Sequence, residues 1–330
     1  MPKGLKMLES LNPYLWAVKL RNWAYNLGLI SQCKVSVPVI SVGNLSVGGS
    51  GKSSLVRYIA NMLSENLRVC ILSRGYKRST KGTLLVSEWG RLKASWQEAG
   101  DEPYMLAKLL PRVSLVVDEV RCRGADFALR ELKPELIILD DGFQHRKIHR
   151  DLDLLLLRKR DFSDRVLPFG RLREPLECME RANAFVLSYG ELEDFDWRHP
   201  QKPTFKMRRS GWRILRSTDH RQVENYHELS FLAFCGLGDN EQFFQTLRRL
   251  GIRLEDTIGF PDHYHYRGFK LQDDKLYITT LKDLVKLEPA ENLFYLDFEV
   301  EVEGLKEFLE SFIINSLKRV GSSAGRATDS

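Results

Sequence analysis

One segment restricts the fold of this chain more than any other. A continuous apolar run at 35–43 leads into the glycine-rich stretch GNLSVGGSGKSS (43–54), and a helical pattern follows over 53–66. A run of this kind is typical of a strand buried on both faces of a parallel sheet. Glycines let the backbone wrap around phosphate oxygens, and the helix that follows adds its positive N-terminus. The segment therefore predicts a P-loop between a buried strand and a helix.

The end of this loop predicts how a nucleotide would be held. Lys52 is expected to reach the β- and γ-phosphates, and the Ser53 hydroxyl to bind Mg²⁺. The loop departs from G-x-x-x-x-G-K-[ST] at one position, because Ser46 stands where the first glycine is expected. A flexible glycine turn, the alternative, does not account for a Lys-Ser pair that opens a helix. The predicted nucleotide-binding residues are Ser46, Gly48, Gly49, Ser50, Gly51, Lys52, Ser53 and Ser54.

A second apolar run ends in two adjacent carboxylates. The stretch ELIILDD (135–141) closes on Asp140 and Asp141. An acid at the C-terminal end of a strand beside the P-loop strand is where Mg²⁺ of the nucleotide is held. An Asp that caps a turn is the alternative, and two adjacent Asp make it the weaker one. We predict Ser53, Asp140 and Asp141 as magnesium ligands.

Strands and helices alternate along most of the chain, which predicts an α/β fold with a mostly parallel, doubly wound sheet of the P-loop NTPase type. The alternation of strand and helix patterns changes near residue 190. There, Ser210-Gly211 lies between two short strand patterns, which indicates a hairpin. A smaller second α/β domain is expected after it. The predicted units are 1–200 with an N-terminal helix, a two-stranded linker at 201–217, the second domain at 218–319, and a disordered tail at 320–330.

Composition excludes several classes of protein. The five cysteines of this 330-residue chain are scattered and none has C-x-x-C spacing, so neither a zinc ribbon nor a disulfide framework is expected, and a reducing compartment fits best. No apolar stretch approaches the roughly 18 residues of a spanning helix, and no secretory segment opens the chain. A soluble or peripheral protein is expected.

A helix predicted over 12–28 carries an aromatic stripe. Trp16, Leu20, Trp23 and Leu27 fall on one face, and residues 1–34 hold five basic side chains against one acidic side chain. Such a helix either lies in a membrane interface or packs on its own domain. The pattern alone leaves both alternatives open.

Ordered motifs now indicate a family. The chain resembles the tetraacyldisaccharide 4′-kinases, the lipid A 4′-kinases, whose phosphate loop also lacks the first glycine. The departures are local: Phe169 and Arg171 stand in place of Ala and Pro, and Leu281 in place of Glu. The resembling stretches are VGNLSVGGSGKS (42–53), LSRGYK (72–77), GDEPYMLA (100–107), DDGFQHRKIHRDLDLLLL (140–157), LPFGRLREP (167–175), CGLGDNEQFFQTLRRLG (235–251), FPDHYHY (260–266) and ITTLKDLVKL (278–287).

The resemblance implies ATP-dependent phosphorylation, with Mg²⁺, of the 4′-hydroxyl of a tetraacylated disaccharide 1-phosphate. It implies a peripheral enzyme on the cytoplasmic face of a bacterial inner membrane, docked through residues 12–28, with no nucleic acid and no obligate protein partner. The lipid substrate also favours docking of that helix in a membrane interface over packing on its own domain.

The resemblance also implies site residues. From its position alone, Asp101 is interpreted as an ordinary helix N-cap. The resemblance implies instead that Asp101 is catalytic, together with His263 and Lys52. His265 is the competing histidine. Without the resemblance, Arg173 and Glu174 could equally form a surface ion pair. Lys282 and Asp283 could equally be structural residues. The predicted substrate residues are Asn44, Arg74, Gln144, His145, Arg173 and Glu174.

Three rival functions predict features that the sequence lacks. A P-loop GTPase or metallochaperone needs a guanine-reading NKxD and a metal-passing Cys/His cluster, and Thr280-Leu281-Lys282-Asp283 has only a passing likeness to NKxD. A nucleic-acid-binding ATPase would show a basic run or an RNA motif. A non-enzymatic binding module would not need Lys52, Ser53 and the two Asp together.

Overall fold

The computed structural model describes residues 12–192 and 195–326, with the backbone alone for 319–326. The described strands are β1 (Val39–Asn44), β2 (Val69–Ser73), β3 (Leu84–Glu88), β4 (Arg91–Leu92), β5 (Ser114–Val117), β6 (Leu136–Asp140), β7 (Leu152–Leu157), β8 (Ala184–Leu187), β9 (Thr204–Arg216), β10 (Ser230–Cys235), β11 (Arg253–Gly259), β12 (Tyr277–Thr280) and β13 (Leu293–Val302). The described α-helices are α1 (Pro13–Asn26), α2 (Lys52–Leu63), α3 (Trp96–Ala99), α4 (Asp101–Leu109), α5 (Arg121–Glu131), α6 (Asn240–Arg249), α7 (Leu281–Leu284) and α8 (Leu305–Arg326).

All these strands belong to one sheet, in the order β11-β10-β12-β13-β9-β8-β7-β1-β6-β2-β5-β3-β4. We call β1–β8 with α1–α5 and α8 the first half, and β10–β12 with α6 and α7 the second half. Strands β1, β2 and β5–β8 run parallel, and β3 and β4 pair antiparallel at the edge. Helices cover both faces, so the predicted doubly wound, mostly parallel sheet is confirmed.

The register of the first half brings three strand ends together. Val42 of β1 pairs with Asp140 of β6 on one side and with Leu154 of β7 on the other. Apolar side chains of both faces of β1 are buried, against α2 on one side and the α5 layer on the other. Because parallel strands end at the same edge, the loops after β1, β2, β6 and β7 meet there. Ligands of open α/β sheets bind at this edge.

The predicted hairpin at 201–217 is wrong. Strand β9 runs unbroken through Ser210 and Gly211, and its antiparallel partner is β13. Between Asp297 and Glu299 of β13, the β9 partner shifts from Arg213 to Ser210, so β9 contains one extra residue. Gly211 takes a φ of +56° there, which a glycine adopts without strain. The glycine that suggested a turn therefore forms a β-bulge.

The C-terminal helix differs from the prediction in two ways. Helix α8 continues to Arg326, so residues 320–326 of the predicted disordered tail are helical, and 327–330 lie outside the described residues. Its residues Leu305, Leu309 and Ile313 pack in the core of the first half, although 218–319 was predicted to be a separate domain. The chain thus returns to the first half after β13. Lys3, Lys6 and Glu9 of the predicted basic segment also lie outside the described residues.

A disulfide corrects the cysteine prediction. Cys33 and Cys122 are bonded across 89 residues of sequence, and the three other cysteines are free. The segment after α1 runs beside the loop before β7, where the Cys33 N–H donates to the Lys147 carbonyl at 2.8 Å and Cys33 pairs with Ile148. This pairing brings Cys33 to the first turn of α5. Spacing in the sequence carries no sign of it, because the contact depends on tertiary structure.

Candidate active site

The phosphate loop lies between β1 and α2, as predicted. Gly51 caps α2 with a φ of +82°, and a Cβ at this position would lie 2.7 Å from Cε of Met207. The backbone conformation therefore disfavours any side chain at this position, and a Cβ would also displace the methyl group of Met207. Lys52 opens the helix, and its Nζ donates to Asn44 Oδ1 at 3.0 Å and lies 3.6 Å from Asp141 Oδ1. The lysine is thus held at the mouth of the loop.

Asn44, a predicted substrate residue, is fully buried at the end of β1. Its side-chain oxygen accepts hydrogen bonds from Lys52 and Arg173, and its amide donates to the Ser46 carbonyl at 2.7 Å. Its own carbonyl accepts from Gln144 Nε2 at 2.9 Å. The protein therefore occupies the polar groups of Asn44, and the contacts make it a positioning residue for Lys52 and Arg173.

Asp141 and Arg173 form a two-pronged ion pair. Both Arg173 terminal nitrogens donate to the Asp141 carboxylate at 2.8 Å. Burial alone would raise the pKa of Asp141, but the charges of Lys52 and Arg173 hold it well below its usual range. Asp141 is thus an anion bound by two cations, and its oxygens are engaged by protein groups.

Asp140 has the opposite electrostatic environment. Burial raises the pKa of its carboxyl to about 6, and the charges of Glu102 and Asp141 add to this effect. Its carboxylate accepts a hydrogen bond from the Ser73 hydroxyl at 2.9 Å. Ser53 donates to Glu102 at 3.0 Å on the same edge of the sheet. A cation bound between these oxygens would relieve the charge repulsion at Asp140.

Asp101 and His263 are in direct contact, although 162 residues separate them. His263 Nδ1 lies 2.9 and 2.8 Å from the two carboxylate oxygens of Asp101. Asp101 opens α4 in the first half, and His263 lies in the loop between β11 and β12 of the second half. Burial would raise the pKa of Asp101, but the His263 hydrogen bond and the Lys282 charge lower it to about 2. The carboxylate is therefore ionised at neutral pH, and His263 donates to it.

Two lysines near α7 complete this contact between the halves. Lys282 Nζ lies 3.1 Å from Glu102 and 3.0 Å from Asp262. Lys286 is buried, 2.7 Å from Asp283 and 3.8 Å from Asp101. Asp283 in turn accepts from the Thr280 hydroxyl at 2.7 Å and the Gly236 N–H at 2.9 Å. The network fixes two cations beside the first turn of α4.

Other predicted substrate residues lie on the same edge of the sheet. Gln144 and His145 follow β6, and Arg74 follows β2 and is exposed. Burial lowers the pKa of His145 to about 4, and the charges of Arg121 and Arg74 contribute, so its ring is neutral at pH 7. The edge therefore combines a neutral imidazole, an amide and an exposed guanidinium.

Glu174 occupies a different position from the one predicted. Its side chain is fully buried between Arg21 of α1 and Arg181, and it forms an ion pair with each. Tyr14 of α1 donates to the Arg173 carbonyl at 2.9 Å. These contacts connect the 173–174 loop to α1, so Glu174 contributes to the attachment of α1.

Sequence reasoning did not select Glu102, Lys282, Lys286 or Arg121. Glu102 adjoins the predicted Asp101, and that adjacency was the one available signal. The Arg121 side chain is almost fully buried and donates to the Asp118 carbonyl at 2.8 Å, below the Asp140 strand end. Burial lowers its pKa to about 10, against the raising effect of Asp140 and Asp141. The roles of the two lysines depend on contacts between the halves, which a linear pattern does not contain.

Comparison with known proteins identifies the family. The family model described as tetraacyldisaccharide-1-P 4′-kinase (LpxK) matches residues 5–317. The chain belongs to this family. It is 54% identical over 301 residues to the tetraacyldisaccharide 4′-kinase of Aquifex aeolicus, covering 89% of this chain and 95% of that protein. The corresponding kinase of Desulfotalea psychrophila is 36% identical over 304 residues, covering 85% of this chain and 86% of that protein.

A solved structure agrees with this assignment. The fold matches a crystal structure described as the "apo" form of LpxK from Aquifex aeolicus in complex with ATP, with a TM-score of 0.85 and 51% sequence identity. The match covers 94% of this chain and 98% of that chain. The tetraacyldisaccharide 4′-kinase family member described here is therefore an enzyme, a kinase of lipid A biosynthesis. The rival GTPase or metallochaperone function is not favoured.

Proposed function

We propose that this chain transfers the γ-phosphoryl group of ATP to the 4′-hydroxyl of tetraacyldisaccharide 1-phosphate, which forms lipid IVA. The observation that supports this reaction is the Asp101–His263 contact beside the phosphate loop. A bond forms between the sugar oxygen and the γ-phosphorus, the bond from that phosphorus to the β,γ-bridging oxygen breaks, and ADP leaves. Lys52 neutralises charge on the transferred group.

The proton of the sugar hydroxyl goes to the Asp101–His263 pair. Asp101 is ionised and accepts the hydrogen bond of the hydroxyl, while His263 holds the carboxylate in one orientation. A carboxylate with a pKa of about 2 is a weak base. A weak base suffices because the transition state of phosphoryl transfer is loose and the proton is lost late. The main contribution of the pair is therefore orientation of the acceptor oxygen.

Magnesium fits the oxygen atoms of this edge. Across residues 12–192 and 195–326 there is no cluster of three or more His, Cys, Asp or Glu that could enclose a metal ion. Mg²⁺ does not need one, since it is usually held by one or two protein oxygens together with phosphates and water. We propose Ser53 and Asp140 as its protein ligands, and assign Asp141 to holding Lys52 and Arg173. Bound Mg²⁺ would neutralise charge on the β- and γ-phosphates.

A cavity of about 290 Å³ supports a site for the nucleoside. It adjoins the phosphate loop, because Arg158 Nη1 donates to the Gly49 carbonyl at 3.2 Å. Carboxylates suit ribose hydroxyls and amides suit the edge of a base. The lining residues that supply these groups are Asp239, Glu241, Gln242 and Gln245.

We also propose that α1 docks on an anionic membrane surface. Trp16, Leu20, Trp23 and Leu27 are each more than half exposed, and the exposed Lys19 adjoins them. Apolar insertion and charge attraction act together in such a helix. No helix of the described residues has the length and apolar character to cross a bilayer. Since ATP is available in the cytoplasm, the cytoplasmic face of the inner membrane is the proposed location.

Vesicle flotation tests the docking. With vesicles that contain anionic phospholipid, replacing Trp16 and Trp23 together by Ser should move the protein from the floating to the soluble fraction. A control variant with Ile314 and Leu317 replaced by Ser loses two exposed apolar side chains of α8 and should float like the wild type. Equal flotation of both variants would contradict docking through α1.

The reaction is tested with labelled ATP and purified tetraacyldisaccharide 1-phosphate in detergent micelles. The expected product is a bis-phosphorylated lipid that appears only with the acceptor present. Folded wild-type protein that transfers no label to this lipid would refute the proposal. GTP in place of ATP distinguishes the rival NTPase function.

A further inference from the structure

An arginine lies against the phosphate loop, and neither the loop motif nor the proposed reaction gives it a role. Arg160 belongs to a 3₁₀ turn, Lys159–Phe162, that follows β7. A Cβ on Gly48 would lie 3.7 Å from Arg160 Nη2, so the guanidinium adjoins the glycine backbone of the loop. Gly48 and Gly49 are exposed, whereas Ser50 after them is buried. Arg160 therefore lies beside the part of the loop that a ligand can reach.

The guanidinium of Arg160 is not used inside the protein. Within residues 12–192 and 195–326, its nitrogens form neither a hydrogen bond nor an ion pair, and the buried Nε has no acceptor. Asp161, the adjacent carboxylate, accepts instead from the Arg158 N–H at 2.9 Å. A guanidinium presents five N–H donors in a rigid fork. The donors of Arg160 are thus available to an acceptor from outside the chain.

Other cations crowd around Arg160. Burial lowers the pKa of its guanidinium, and the charges of Arg158 and Arg171 lower it further, although Asp161 offsets part of the effect. Arg171 lies next to the loop, where its carbonyl accepts from the Val47 N–H at 2.8 Å. An opposite charge within roughly 4–6 Å favours the charged form of a group. A bound anion would therefore relieve the repulsion at Arg160.

The turn that carries Arg160 is held in place by its flanking residues. The Arg158 guanidinium lies 4.5 Å from the Tyr189 ring centroid and donates to the Gly49 carbonyl at 3.2 Å. Phe162, at the end of the turn, packs against two aromatic rings of the first half. These contacts fix the backbone of the turn beside the loop. Arg160 thus needs little ordering of its backbone to bind an anion there.

The anion that this loop binds is the phosphate chain of the nucleotide. Lys52 approaches it from the start of α2, and Arg160 lies at Gly48, on the turn after β7. The planar fork of an arginine matches two phosphate oxygens. We infer that Arg160 is a further phosphate-binding residue of this kinase, which donates to the phosphate oxygens of ATP in addition to Lys52. The inference rests on the use of ATP in the proposed function and adds a residue to it.

Calorimetric titration of the full chain with Mg²⁺-ATP, without the lipid acceptor, tests this contact. Arg160→Gln should raise the Kd of ATP about tenfold or more, because hydrogen bonds between charged groups are removed. Arg160→Lys keeps the charge but loses the fork, so its Kd should lie between those of the wild type and Arg160→Gln. The Kd of adenosine, which has no phosphate, should stay within about twofold of the wild-type value.

Arg112→Gln is the matched control. It removes an exposed positive charge from the first half, before β5, at the end of the sheet opposite to the phosphate loop. The Kd of ATP should stay within about twofold in this variant. Arg160→Gln with the wild-type Kd for ATP, an equal loss in Arg112→Gln, or an equal loss for adenosine would each overturn the inference.

Two further measurements keep the result interpretable. If Arg160→Gln does not fold, as circular dichroism would show, Arg160→Lys decides by the same comparison of ATP with adenosine: a Kd raised for ATP alone supports the contact, and an unchanged Kd overturns it. Label transfer to the lipid is measured separately. A wild type that binds ATP but transfers no phosphate would overturn the proposed reaction, while the effect of Arg160→Gln on the Kd would still support the inference.

Discussion

Removing the charge of Asp101 should weaken both the chemistry and the contact between the two halves. Burial would raise the pKa of Asp101, yet the His263 hydrogen bond and the neighbouring lysines lower it from 3.8 to about 2. A shift of roughly two units corresponds to about 2.5 kcal/mol in favour of the ionised form. Because the folded-state pKa lies below the unfolded one, this stabilisation is present at pH 7 and is lost as the pH falls from about 4 towards 2.

We therefore expect Asp101→Asn to lower the free energy of unfolding by about 2 kcal/mol at pH 7 and to slow transfer by about 10²- to 10⁴-fold. His263→Gln should lower both quantities as well. The double variant should lose less than the sum, because each single variant already removes the shared hydrogen bond. Urea unfolding followed by circular dichroism measures the free energy of unfolding, and label transfer to the lipid measures the rate of transfer.

Asp126→Asn is the control for this cycle. Asp126 is exposed on α5, where it pairs with Arg130, and its replacement should change stability by less than about 0.5 kcal/mol. Strictly additive losses in the double variant, or full turnover by Asp101→Asn, would refute the reasoning. So would an Asp101→Asn protein more stable than the wild type, since that would mean that the ionised carboxyl is not stabilised in the fold.

Three further results are expected. Lys52→Ala should reduce label transfer at least about 100-fold, because it removes the cation held at the mouth of the loop, and near-normal transfer would contradict the phosphate-loop assignment. Lys282→Met should reduce transfer about tenfold by removing the ion pairs of Glu102 and Asp262, whereas Lys282→Arg should retain more activity, and equal rates for the two would argue against the ion pairs. Thiol titration in denaturant should count three thiols before reduction and five after it, because Cys33 and Cys122 are bonded; five before reduction would exclude the disulfide.

The phosphate-loop edge could be predicted from sequence because its signals are local. A buried strand, a glycine-rich loop and the Lys52-Ser53 helix start are contiguous, and the run that ends in Asp140 pairs with β1 by the ordinary rule for parallel strands. The contact between Asp101 and His263 could not be derived from spacing. The family resemblance suggested the pair, and the fold brings the two side chains within hydrogen-bond distance.

The errors of sequence reasoning have a common physical origin. Ser210-Gly211 has the composition of a hairpin turn, but β13, far along the chain, supplies a partner that keeps β9 extended. Glu174 was predicted as a site residue because it lies in the family-like stretch LPFGRLREP (167–175). In the fold its side chain is instead buried between Arg21 and Arg181. In each case a partner distant in sequence determines the role of the residue.

The bulged pair of strands limits how the two halves can be oriented relative to each other. The chain leaves the first half along β9 and returns along β13, and these two crossings are hydrogen-bonded to each other from Phe294 to Val302. Two separate flexible linkers would leave the halves free to reorient about every axis. A two-stranded ribbon bends and twists but does not swivel. Most orientational freedom is therefore removed when the chain folds, and His263 is held in contact with Asp101.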